Sequence, residues 1–172
     1  MANQYFERRE WFFFLLSLHL HGLSFFLPLG QIAGTRPDLN ITIEARNHSL
    51  DWDPFWIQET VILRIPSSAS DSPRTILGAH IDTWREDLDT IWDNQYNRAE
   101  GADDNASGST NILIALRELL KAQHGKWTPK TPLEFHWYSC EEYGILGSEL
   151  VSREYVENGI AVKGMLQFDM SM

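Results

Sequence analysis

Five residues stand out among those whose side chains can hold divalent cations or move protons: His80, Asp104, the adjacent pair Glu141 and Glu142, and Asp169; all but Asp104 directly follow an apolar segment. Imidazole and carboxylate are the ligands of catalytic zinc, which keeps one position open for water, and two zinc ions can share a bridging carboxylate and a hydroxide. A ligating histidine needs an acceptor behind it to fix its tautomer. Asp82, two positions further along an extended chain, projects to the same side as His80 and is the natural candidate for that orienting role. Neighbouring carboxylates such as Glu141 and Glu142 repel one another unless charge compensates them. Such a pair can divide its work, one member binding metal while the other accepts a proton from water held by that metal. Asp104 belongs to the run Gly101-Ala102-Asp103-Asp104-Asn105-Ala106-Ser107-Gly108, just ahead of a helical pattern and so near the positive end of a helix dipole. Taken singly, each feature has a plain structural alternative: an acidic N-cap for the Asp run, and two solvated glutamates at a helix start for the Glu pair.

The elements that would carry these residues follow an α/β pattern after residue 35. Thr60-Val61-Ile62-Leu63-Arg64-Ile65 reads as a strand stopped by Pro66, and the turn formers of Ser67 to Pro73 follow. Thr75 to Ala79 reads as a strand that delivers His80 at its end. The polar stretch from Thr83 to Glu100, with Trp84 and Trp92, lacks periodicity and reads as a long surface loop. From Ser109, the residues Ile112, Leu113, Leu116, Leu119 and Leu120 recur at helical spacing, with Gly125 as the stop. Leu133 to Ser139 is the next strand, followed by a glycine-punctuated turn, a helix over roughly 148–157, and a short strand at Met165 to Phe168 ending at Asp169. Strands alternating with helices predict a mainly parallel central sheet flanked by helices on both faces. Ligands of such sheets gather beyond the carboxyl ends of the strands. Three strand ends therefore present metal-type ligands at one edge.

Composition narrows the chemistry. With 172 residues and 43% hydrophobic content, one domain with a real core is expected. A formal net charge of -10 removes the attraction to phosphate on which most nucleic-acid binding depends. The single cysteine, Cys140, excludes an intrachain disulfide and has no identifiable histidine partner to make it a nucleophile. His136, between Phe135 and Trp137, reads as a packed histidine, and His19 and His21 carry no carboxylate pattern. No His-Glu-x-x-His helix, Gly-x-Ser-x-Gly elbow or phosphate-cradling loop occurs. Residues 1–34 read as a signal-like or irregular segment: Arg8 and Arg9 precede the apolar run from Trp11, and Pro28 is expected to break it. Retained, that run would be an anchor; cleaved, it makes the protein secreted. The sequons at Asn40 and Asn47 are compatible with that route, whereas a glycan at Asn105 would obstruct the site. Residues 35–172 are then expected to be a partial domain that carries the candidate ligands.

Four segments, in order, resemble the secreted leucine-aminopeptidase-type zinc metallopeptidases, especially the fungal ones: Gly78 to Asp82, Gly101 to Gly108, Cys140 to Ser148, and Leu166 to Met170. The likeness covers about residues 50 to 172, with Trp56-Ile57-Gln58-Glu59 leading into the first strand. It implies a three-layer zinc-peptidase fold of the phosphorylase/hydrolase-like type and two Zn2+ ions. His80 and Glu142 would bind metal, Asp104 would bridge both ions, Asp169 would bind the second, and Asp82 would orient His80. Glu141 would be the general base, and the substrates would be peptides with a free N-terminus. Such proteins normally supply a last histidine ligand well downstream of the position of Asp169, so a chain ending at Met172 is expected to be incomplete at its C-terminus. Two alternatives share the fold: a glutaminyl-cyclase-like zinc acyltransferase, and a noncatalytic homologue.

Overall fold

A computed structural model describes residues 23–47, 59–69, 72–83 and 101–171. Its regular elements, in chain order, are helix α1 (Leu23–Gly34), a 3-10 turn (Pro37–Leu39), strands β1 (Thr42–Arg46), β2 (Thr60–Ile65) and β3 (Arg74–His80), helix α2 (Ala106–Gly125), strand β4 (Leu133–Tyr138), helix α3 (Leu146–Glu157) and strand β5 (Val162–Gln167). The five strands form one sheet in the order β1-β2-β4-β3-β5. The apolar run from Trp11 to Leu20 and the loop expected over residues 84–100 lie outside the described residues.

Side-chain alternation along the strands separates two cores. Val61, Leu63 and Ile65 of β2 and Phe135 and Trp137 of β4 face α1 and α2, where they meet Leu29, Ile112, Leu113, Leu116 and Leu120. Ile62, Ile76 and Tyr138 face the other way and pack on Val151 and Tyr155 of α3. The sheet is thus flanked by helices on both faces, and each fully buried large aliphatic or aromatic side chain contributes roughly 1.5–3 kcal/mol of burial. Asn105 caps α2 by accepting from the Gly108 amide. The backbone of α2 leaves helical geometry at Ala122, just before the expected stop at Gly125.

Three expectations change. The sheet is mixed rather than mainly parallel: β3 runs parallel to β4 and β5, but β2 is antiparallel to both β1 and β4. The physical reason is the short connection over 66–73, which reverses the chain between β2 and β3 and is too short for the crossover that parallel strands require. Second, Pro28 lies inside α1 and does not break it. Pro28 removes one helical hydrogen bond, and burial of Leu29 in the core offsets that loss. Within α1, which the sequence groups with the N-terminal segment, Leu29 is buried in the core and Ile32 packs against it. Third, all six residues of β5 are exposed, so the described helices do not cover the sheet at that edge. Among the described residues no helix is long and apolar enough to cross a membrane.

Candidate metal centre

The parallel strands β3, β4 and β5 end at the same edge of the sheet, and each delivers candidate ligands there. His80 is the last residue of β3 and is fully buried. Glu141 and Glu142 lie in the turn after β4, in which the Glu141 carbonyl accepts from the amides of Gly144 and Ile145. This turn packs tightly because Gly147, at the start of α3, has no side chain: a Cβ there would lie 2.1 Å from the Ser139 carbonyl oxygen. Asp169 follows β5, and Asp104 sits in the turn leading into α2.

Around His80 Nε2, Asp104 Oδ1 lies at 3.0 Å, Asp169 Oδ1 at 3.7 Å and Glu141 Oε2 at 3.9 Å. Asp104 Oδ1 is close but not in line for a hydrogen bond, so Nε2 is a buried polar atom without a hydrogen-bond partner. Buried polar atoms are nearly always satisfied, and an imidazole nitrogen aimed at carboxylates is a nitrogen and oxygen donor set of the kind zinc takes. One ligand atom each from His80, Asp104 and Asp169 lies within 4.8 Å of the others. The residues present therefore fit a metal ion. Glu142 is outside that trio, and its main-chain amide donates to Asp82 Oδ2 at 3.0 Å.

Asp82 is buried and does more than the sequence suggests. Its carboxylate accepts from the amides of both Glu141 (3.1 Å) and Glu142 (3.0 Å). His80 Nδ1 lies 3.1 Å from the main-chain oxygen of Asp82 and 3.5 Å from its carboxylate. Burial pulls the His80 imidazole down, but the carboxylates of Asp82, Glu141 and Asp169 outweigh it and raise it to about 9. Burial raises the Glu141 carboxyl, and the charges of Asp82, Asp169 and Asp104 add to this against the pull of His80.

The remaining candidates sort as follows. His136 is fully buried, with Nε2 2.9 Å from Glu134 Oε2 and Nδ1 2.8 Å from the Tyr138 hydroxyl, as a packed histidine should be. Cys140 is buried. Asn105 is buried with both ends of its amide engaged, which leaves no room for a glycan. Sequence reasoning missed Glu134, which is buried against Arg64 (3.2 Å), Arg74 (2.7 Å), His136 and Tyr155. It also missed the supporting bonds of Asn105, Ser107 and Ser109, whose only signal was a run of small polar residues at a helix start.

Comparison with known proteins identifies the family. A model of Peptidase family M28 matches residues 60–172. Leucine aminopeptidase 1 of Emericella nidulans is 43% identical over 123 residues, covering 70% of this chain and 29% of that protein. Leucine aminopeptidase 1 of Trichoderma harzianum is 40% identical over 144 residues, covering 83% and 33%. The chain thus spans about a third of the length of these curated relatives. Among solved structures, the Legionella pneumophila LapA aminopeptidase has a TM-score of 0.66 at 30% identity, covering 84% of this chain and 34% of that one. A glutaminyl cyclase of Bacteroides thetaiotaomicron has a TM-score of 0.56 at 19% identity, covering 86% and 54%, a likeness of fold alone. Matched from β2 to its last residue and carrying a clustered His-Asp-Asp donor set, this chain belongs to peptidase family M28.

Proposed function

We propose that this polypeptide is the metal-binding core of a zinc-dependent aminopeptidase that removes N-terminal residues from peptides. The observation that carries the reading is the unpartnered, buried Nε2 of His80 facing Asp104 and Asp169. The names of the M28 relatives support the aminopeptidase chemistry. In this proposal His80, Asp104 and Asp169, with Glu142 of the neighbouring turn, are the residues that would hold two zinc ions. Bound zinc supplies Lewis-acid polarisation of the scissile carbonyl and lowers the pKa of the attacking water.

The protein's own part in the reaction centres on Glu141. Its carboxylate accepts the proton of the attacking water and returns it to the leaving amine, and a carboxyl raised above the ordinary range is better matched to that exchange near neutral pH. Asp82 fixes the main chain under Glu141 and so the position of this base. The exposed Asp169 and the partly exposed Asp104 and Glu141 suit a substrate whose N-terminus is cationic. The sequence of the N-terminal segment and the sequons favour a secretory route for the protein.

The test is metal content and leucyl-arylamide hydrolysis of the purified chain, alone and extended through any further residues that the gene encodes. Zinc uptake with turnover in either form supports the proposal. Absence of both in both forms overturns it in favour of a noncatalytic homologue.

A further inference from the structure

We propose that the first turn of α2 sets the spacing of the candidate ligands through three side chains that are not ligands, so that Ser109, Asn105 and Ser107 are positioning residues. The inference rests on the metal reading above. Ser109 is buried, and its hydroxyl donates to the main-chain oxygen of His80 at 2.7 Å. The carbonyl of Ser109 accepts in turn from the Trp137 indole at 3.2 Å, which ties this helical turn to the core strand β4. His80 is thereby held from the helix side as well as by its own strand.

Asp169 is bracketed by the other two. The Nδ2 of Asn105 donates to the carbonyl of Phe168 at 2.9 Å while its Oδ1 accepts from the Gly108 amide at 3.0 Å. On the far side, the Ser171 amide donates to the hydroxyl of Ser107 at 2.8 Å, and that hydroxyl donates to the Asp103 carbonyl at 2.6 Å. The pairing of β3 with β5 closes where the Phe168 amide donates to the Gly78 carbonyl, one residue before Asp169. Past that point these two tethers link the ligand-bearing chain to the turn that carries Asp104. The approach is close: a Cβ on Gly108 would meet the Phe168 carbonyl oxygen at 2.4 Å. His80 and Asp169 are therefore referenced to the same helical turn as Asp104, and a metal site needs its ligands held to within about 0.5 Å.

Each tether can be cut without touching a ligand. Ser109→Ala removes only a hydroxyl from a helical position, Ser107→Ala does the same on the Asp169 side, and Ser109→Thr restores the donor. Zinc affinity of the 172-residue chain is measured by competition with a chromophoric chelator, and the melting temperature of the metal-free protein is recorded alongside. Both Ala variants are expected to bind zinc about tenfold or more weakly, as loss of outer-shell partners does, with Ser109→Thr close to wild type. A merely structural role would lower the melting temperature and leave the affinity of the folded protein unchanged, and that result overturns the proposal. Should Ser109→Ala fail to fold, Ser107→Ala, at a half-buried position, decides on the same criterion. A wild-type chain that takes up no zinc overturns the metal reading and the tethers with it, whereas wild-type uptake with unaffected variants overturns the tethers alone.

Discussion

His80 can offer Nε2 to a metal only when that nitrogen carries no proton, so zinc binding should be coupled to proton release. The size of the coupling follows from the site. In the metal-free chain burial lowers the imidazole, the surrounding carboxylates more than reverse this, and it titrates at about 9. At pH 7, two units lower, only about one molecule in 100 has a neutral imidazole, so apparent zinc affinity should be about 100-fold below its limiting value. Its logarithm should rise by about one per pH unit from pH 7 to 9 and flatten above. The same charge affects the metal-free fold with the opposite sign. A folded pKa raised above about 6.5 gives stability that is fully present below 6.5 and is lost as pH rises through about 9. Chelator competition between pH 6.5 and 10, with calorimetry at pH 7.5 in two buffers of different ionisation enthalpy, measures the slope and the released proton directly. Zinc affinity independent of pH from 7 to 9, with no proton released, would refute the reasoning. His80 would then be either already neutral or not a ligand.

Glu141→Gln, in a form of the protein that turns over, should keep zinc binding and lower kcat by 10²–10⁴-fold, the usual contribution of a general base, as read by parallel metal analysis and kinetics. Asp104→Ala should instead weaken zinc uptake itself, seen in the same chelator competition. Glu134→Ala strands Arg74, the His136 imidazole and the Tyr155 hydroxyl on the α3 side of the sheet; urea unfolding should show a loss of about 3–5 kcal/mol, towards the lower end because both arginines are partly solvated. Burial raises the Glu134 carboxyl, but hydrogen bonds from His136 and Tyr155 and the charge of Arg74 bring it down to about 2. Its stabilisation should therefore be held above about pH 4.5 and lost as pH falls towards 2, and Glu134→Gln should flatten that part of the stability profile. Gly147→Ala drives a methyl group into the Ser139 carbonyl and should lower the melting temperature by several degrees, since overpacking costs about 1–3 kcal/mol.

What the sequence reveals depends on how local the cause is. β2 has the limits read from it because a β-branched run ends at Pro66, and the positions of His80 and Asp169 at strand ends follow from apolar runs that stop in polar residues. β1 was missed because Thr42–Arg46 carries only Ile43 and Ala45 as apolar residues, while Glu44 and Arg46 find their partners in Arg64 and Glu154, far along the chain. Glu134 was hidden for the same reason: in sequence it is one polar residue in an apolar strand, and the arginines that hold it sit 60 and 70 residues away. The direction of β2 is a matter of connection length, which periodicity does not encode.

Asp82 shows how a local rule can find a residue and understate its work. The parity of an extended chain places it beside His80, and the structure keeps it there, but His80 Nδ1 approaches the main-chain oxygen of Asp82 more closely than the carboxylate. The two carboxylate oxygens are taken up by the amides of Glu141 and Glu142, 59 and 60 residues further along the chain. Charge-assisted bonds of this type are about twice as strong as neutral ones. They hold the repelling glutamate pair onto the end of β3, so the candidate base and one candidate ligand are positioned by the same segment that carries the histidine. Seen this way, the unfavourable gathering of Asp82, Asp104, Glu141 and Asp169 around one imidazole is stabilised by backbone amides at Asp82 and by the positive end of α2 at Asp104. The residual negative charge at the mouth of the site is what a divalent cation would neutralise.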